Sequence, residues 1–243
     1  MCRILGLLPR PSSRIDFELV KTFRSLASCG RVKPGAAAGH PDGWGIVIWE
    51  NGMPVYLGRE PTDAFSDRRF EVACNRGKEM RVTSALVAHL RKAPAGERTR
   101  DNTHPFVQSE WAFAHNGMIR KLNLKSKTDS EWFFQSLMEE SRRCCGDIMT
   151  AIARQVETVK KVYQYSSMTF LLSNGHKLFA YRDCVSDQNY YTIFYARLND
   201  SFVVAQEKFF EAPWKELGNG QLLIADGRLQ HEIIDIAHVI PAD

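Results

Sequence analysis

The stretch MTFLLSNGHKLFAYR, residues 168–182, decides how this chain folds. Two apolar runs, 168–173 and 177–182, flank Asn174-Gly175, and such a pair between strand-like runs is the strongest short-range signal for a β-hairpin. The pattern recurs around Asn51-Gly52, where runs 44–50 and beyond have the sequence of a type I′ turn, and around Asp226-Gly227, between 221–225 and 228–234. Further strands are predicted over 2–8, closed by Pro9 and Pro11, and over 84–90 and 111–115. Over 16–28, Phe17, Val20, Phe23 and Leu26 recur at three-residue intervals, with Leu19 and Ala27 widening the stripe, which predicts a helix ended by Cys29-Gly30. Two more helices, 130–142 and 147–161, are adjacent in sequence. Tight antiparallel turns with segregated helices imply an α+β layered fold, not a doubly wound parallel sheet. No Pro/Ser-rich linker, repeat or low-complexity segment divides the chain, so residues 1–243 read as a single domain.

Composition narrows the function. Of 243 residues, 44% are hydrophobic, 25% charged and 11% aromatic, the profile of a soluble globular protein with a sizeable core. The formal charge is only +4, with no dense Lys/Arg run, so the footprint needed for nucleic-acid binding is missing. Apolar runs are too short to cross a bilayer and no basic segment precedes an apolar one at the start, so a cytoplasmic protein with no membrane association is expected. The six cysteines form neither a CxxC pair nor a zinc-finger spacing, and no metal or cofactor is expected. Cys144 and Cys145 fall in a helical region and read as packing residues.

Cys2 is different. Removal of Met1 would leave the Cys2 thiol beside a free α-amine, whose pKa of about 8 lets it take the thiol proton at physiological pH. One residue would then supply nucleophile and base; on position alone Cys2 could equally begin a buried strand. A thiol attacking an amide needs an oxyanion hole, and each donor there is worth about a hundredfold to a thousandfold in rate. Asn116-Gly117 follows the apolar run 111–114 and would present the Asn116 amide and the Gly117 N–H in a turn at a strand end, although most Asn-Gly pairs are simply turns. Arg91 closes another strand, either as a solvated side chain or as a bidentate clamp on a carboxylate. Asp129 reads as a helix N-cap, with Thr128 the alternative, or as a partner for a substrate ammonium.

Six motifs stand in one order: MCRILG at 1–6, HPDGWGI at 40–46, AHLRKA at 88–93, NTHPF at 102–106, AHNGMI at 114–119 and TDSE at 128–131. Together they resemble the class II glutamine amidotransferases, N-terminal-nucleophile hydrolases, over roughly the first 130 residues, and most closely the stand-alone bacterial members, relatives of γ-glutamyl hydrolases of glutathione or ergothioneine metabolism. The remaining C-terminal residues carry no motif of this kind. The resemblance implies a four-layer αββα sandwich of two antiparallel sheets flanked by helices. It implies Cys2 as nucleophile, Asn116 and Gly117 as oxyanion hole, Arg91 on the α-carboxylate of a glutamyl group, Asp129 on its α-ammonium, and His104 in the substrate pocket. Asp42, Gly43 and Trp44 are expected beside the nucleophile without a catalytic role, Trp44 being equally a core residue. The implied activity is cleavage of the γ-glutamyl amide of glutamine or a γ-glutamyl compound through a Cys2 thioester. Two alternatives are an ammonia-donating glutaminase subunit for a separate synthase and a non-catalytic glutamine or γ-glutamyl sensor. The hydrolase would act alone, a synthase partner belongs to the ammonia-donating alternative, and a homo-oligomer is left open.

Overall fold

A computed structural model describes residues 2–80, 83–93, 97–120 and 128–239. The first four strands are β1 (Arg3–Pro9), β2 (Gly43–Glu50), β3 (Met53–Glu60) and β4 (Thr83–Arg91). A second sheet contains β5 (Phe106–Gln108), β6 (Trp111–Arg120), β7 (Gln164–Ser173) and β8 (Lys177–Arg182). The chain then returns to the first sheet with β9 (Phe194–Arg197), β10 (Ser201–Ala205) and β11 (Lys215–Glu216), and ends in the second with β12 (Gln221–Asp226) and β13 (His231–Asp235). The seven-stranded order is β11-β9-β10-β1-β4-β2-β3 and the six-stranded order β13-β12-β8-β7-β6-β5. The neighbouring strands pair antiparallel, as the hairpin signals required.

Alternation along the strands sorts their side chains into layers. Ile4 and Leu8 of β1 and Val47 and Trp49 of β2 point inward and meet Ala114, Leu171, Leu178 and Leu223 of the second sheet. Leu5, Leu7, Ile46 and Ile48 point the other way, under α1 (Phe17–Arg24), α2 (Leu26–Cys29) and α3 (Arg68–Glu79). On the far face Phe113, Phe170 and Phe179 pack beneath α4 (Asp129–Arg143) and α5 (Ile148–Val162) through Phe133, Leu137, Ile152 and Val156. The result is the four-layer helix-sheet-sheet-helix sandwich of an α+β protein.

Several local expectations change. The helix expected over 16–28 is broken at Ser25, whose Oγ donates to the Thr22 carbonyl at 2.7 Å and competes with the helical ladder. Asn51-Gly52 does turn with both residues in the left-handed region, φ 52° and 79°. The last hairpin instead uses Asp226 Oδ1 as acceptor for the Arg228 and Gln230 N–H groups, with Leu229 at φ 60°, so β13 begins three residues later than the 228–234 run suggested. Cys144 caps α4 and Cys145 forms the left-handed turn after it, outside the helix. Trp44 is core: fully buried, it packs edge-on to Phe70 and donates from Nε1 to Asp67 at 3.0 Å.

Candidate active site

Cys2 immediately precedes β1, in the middle of the first sheet, and Asn116 lies on β6 of the second. They meet across the space between the sheets. The Cys2 backbone nitrogen donates to Asn116 Oδ1 at 3.2 Å, and Asn116 Nδ2 donates back to the Cys2 carbonyl at 3.0 Å. The Cys2 thiol faces the Lys92 carbonyl at 3.9 Å. Burial dominates and pushes this thiol up from its ordinary value, while a backbone hydrogen bond at Lys92 and the nearby Arg91 and Arg3 charges oppose it. Met1 lies outside the described residues.

Arg3 fixes residue 2 from the other side. Nearly sealed from solvent, its guanidinium donates to Glu207 at 2.6 Å, to the Cys2 carbonyl at 2.9 Å and to the Arg31 carbonyl, and it stacks over Tyr190. This holds the start of the chain still against three loops.

Gly117 overturns one expectation. The Asn116-Gly117 pair lies inside β6, which runs on to Arg120, and is not in a turn after a strand. The reason is close backbone approach: a Cβ on Gly117 would collide with the Ser167 carbonyl oxygen, and the β6–β7 register shifts between Gly117 and Ile119. Such irregularities re-aim side chains and are common beside active sites.

Arg91 ends β4, whose pairing sets Leu90 opposite Arg3 and therefore brings Arg91 alongside Cys2. Its side chain is buried and makes a hydrogen bond from Nη1 to the Glu97 carbonyl at 3.2 Å. The motif residue Asp42 pins this corner. Its backbone N–H donates to the Arg91 carbonyl at 3.0 Å, and its carboxylate accepts from Ala93 N at 2.8 Å and pairs with Arg98 at 2.6 Å. Gly45, in the same motif, lets the His104 carbonyl pass where a Cβ would sit.

Asp129 opens α4, and Thr128 is the N-cap, its Oγ1 accepting from Glu131 N at 3.0 Å. Freed from capping, the Asp129 carboxylate accepts from Ile119 N at 2.8 Å and Ser130 N at 2.9 Å, which ties it to β6 two residues beyond Gly117. A carboxylate has about four acceptor sites, so an ammonium can still be received. His104 is not hydrogen-bonded to any of these groups. Its ring is buried between His89 and Phe106, at 4.4 and 4.5 Å, and neither ring nitrogen has a partner among the described residues.

Sequence reading missed Arg3, the Asp42 anchor and Gln206. Gln206 is buried just after β10, and its Oε1 accepts from Asn116 Nδ2 at 3.1 Å. It carries no motif and follows a strand too short to mark, so its only signal is a contact spanning 90 residues of chain.

Two facing antiparallel sheets between helix layers, with a cysteine leading a central strand toward an Asn-Gly pair on the opposite sheet, define the N-terminal-nucleophile hydrolase fold. Residues 1–201 match the family described as class-II glutamine amidotransferases, and the chain belongs to that family. Among curated proteins it is 25% identical to the uncharacterized protein MJ1515 of Methanocaldococcus jannaschii, over 92% of this chain and 69% of that one. Among solved structures, the glutamine aminotransferase class-II domain protein SPO2029 of Silicibacter pomeroyi superposes with a TM-score of 0.63 and 20% identity, covering 97% of this chain and 99% of that one. The glutamine phosphoribosylpyrophosphate amidotransferase of B. subtilis superposes with a TM-score of 0.67 and 15% identity, covering 98% of this chain but 50% of that one. At such identities the structural likeness speaks for the fold.

Proposed function

We propose that this protein hydrolyses the γ-glutamyl amide bond of glutamine or a related γ-glutamyl compound, with Cys2 as the nucleophile once Met1 has been removed. The observation that supports this best is the reciprocal pairing of Cys2 with Asn116 between the sheets, at 3.2 and 3.0 Å. In this reading the freed α-amine takes the thiol proton, and Sγ attacks the γ-carbonyl carbon. The carbonyl oxygen becomes an oxyanion, held by the Asn116 amide and the Gly117 N–H. Collapse breaks the C–N bond, the α-ammonium returns the proton to the departing nitrogen, and a γ-glutamyl thioester remains. Water, deprotonated by the same amine, then releases glutamate and the thiol.

Arg91 and Asp129 serve the reaction by position. A guanidinium at the end of β4 and a carboxylate tied to β6 would hold the α-carboxylate and α-ammonium, fixing the reacting carbon beside Sγ. Orientation of this kind supplies a large part of the rate enhancement of bimolecular reactions. The direct test is glutamate release from glutamine. Wild-type protein is expected to turn over and Cys2→Ala to lose at least a thousandfold, the scale at which a covalent nucleophile acts; turnover by Cys2→Ala at the wild-type rate would refute the reading.

A further inference from the structure

The Asn116 amide is engaged at every polar position. Oδ1 accepts from Cys2 N, and of the two Nδ2 protons one goes to the Cys2 carbonyl and one to Gln206 Oε1, at 3.0 and 3.1 Å. Two of those three bonds are made to Cys2, the residue proposed to react. Gln206 is the partner that stays outside the chemistry.

Its own placement is rigid. The backbone N–H of Gln206 donates to the Ile4 carbonyl at 3.2 Å, and its carbonyl accepts from Thr192 Oγ1 at 2.6 Å. The next residue, Glu207, is locked to Arg3 at 2.6 Å. The side chain therefore leaves the first sheet from a fixed point and reaches the second at Asn116. Its far nitrogen, Nε2, is buried with no hydrogen-bond partner among the described residues. Buried amides are usually paired at both ends, and among the described residues only the oxygen end of Gln206 is paired, to Asn116.

We infer that Gln206 is a positioning residue that fixes which end of the Asn116 amide faces the developing oxyanion. The argument is one of donors and acceptors. In this arrangement Nδ2 donates to Gln206 Oε1, and the flipped Asn116 amide would set Oδ1 against Oε1 and lose both bonds to Cys2, so Gln206 adds a third bond that favours Nδ2, a donor, on the side of the developing charge. When the oxyanion forms, Nδ2 can exchange its bond to the Cys2 carbonyl for one to the oxyanion and keep the bond to Gln206. Without the Gln206 acceptor the preference rests on the two bonds to Cys2 alone, one of which is given up when the oxyanion forms. This inference rests on the proposed catalytic roles of Cys2 and Asn116.

The test compares glutamine hydrolysis with alkylation of Cys2 by iodoacetamide. Hydrolysis passes through an oxyanion; displacement of iodide by the thiolate does not. Gln206→Met, of equal length but without the acceptor, and Gln206→Asn, which withdraws the amide by one methylene, are expected to lower kcat by about tenfold to a hundredfold, less than the loss of an oxyanion donor itself because Gln206 acts through Asn116. KM should stay within about threefold and the alkylation rate within about twofold, because the substrate clamp and the thiol are untouched. Gln206→Glu keeps an acceptor oxygen and is expected to recover most of the lost kcat. Unchanged kcat in the Met and Asn variants, alkylation falling in step with kcat, or a Glu variant as slow as the Met variant would each overturn the inference. A wild-type protein that does not hydrolyse glutamine would instead defeat the proposed function on which it rests.

Discussion

Arg91 carries five potential donors and, among the described residues, spends one of them on the Glu97 carbonyl, at 3.2 Å, while buried beside the thiol. A buried cation with unspent planar donors suits a carboxylate that arrives with the substrate. Arg91→Lys keeps the charge and loses the fork, and the expected result is a KM for glutamine raised by about tenfold or more, the worth of one charge-assisted hydrogen bond, with a smaller change in kcat. Steady-state kinetics decide the matter, and an unchanged KM would remove Arg91 from the clamp. At this scale the sequence makes the positions of Cys2 before β1 and Arg91 at the end of β4 legible, since apolar runs mark the strands they bound. It misleads where geometry is decided by a neighbour: Asn116-Gly117 reads as a turn because Asn-Gly usually is one, yet the Ser167 carbonyl needs the space that only a glycine leaves. Gln206 is illegible altogether, since nothing near it in the chain announces that it meets Asn116.

Among the elements, helices with a full apolar stripe and strands bounded by turn residues could be read to within a few residues, α4, α5 and β8 most closely. The missed ones explain themselves. α3 buries Phe70, Ala73, Cys74 and Gly77, a correctly spaced face made mostly of small residues, so its periodicity is faint. Strands β5, β9 and β11 are four residues or fewer and take their stability from pairing with partners. α3 is secured at its start by Asp67, which accepts from Arg69 N at 3.0 Å, Thr62 Oγ1 at 2.6 Å and the buried Trp44 indole at 3.0 Å. Burial alone would raise the Asp67 carboxyl, but the Arg69, Thr62 and Trp44 donors outweigh it and hold the group far below the usual carboxylate range. Asp67→Ala removes a helix cap and orphans the indole N–H, which together cost about 2 to 4 kcal/mol. Urea unfolding should show that loss with Asp67→Asn in between; a loss below about 0.5 kcal/mol, within the ordinary range for a surface change, would contradict the capping account.

The whole molecule places the Cys2–Asn116 pair where two sheets meet, and the same packing buries His89, His104 and His115 nearby. Burial lowers His89, His104 and His115 from their ordinary value; neighbouring positive groups add to this at His89 and His104, while the Asp129 charge and the Ser167 carbonyl partly offset it at His115. Unfolded, these rings titrate near 6.5, above their folded values, so as pH falls through that range the unfolded chain binds more protons. Their contribution to stability is complete well above about pH 6.5 and is lost as pH falls through that value toward the depressed folded values. Urea midpoints should accordingly drop between pH 7.5 and 5.5, and His104→Phe should flatten the dependence; a wild-type midpoint that holds constant would contradict it. No helix among the described residues is long and apolar enough to cross a membrane. What joins the scales is that Cys2 and Asn116, 114 residues apart in sequence, face each other only when both sheets are packed.

The central claim is that Cys2 becomes a free N-terminal nucleophile, and the most direct measurement is the intact mass of the purified protein before and after incubation with the glutamine analogue 6-diazo-5-oxo-norleucine. The expected result is a chain lacking one methionine that gains a single adduct, mapped to Cys2. A chain that keeps its methionine and gains no adduct would contradict the account.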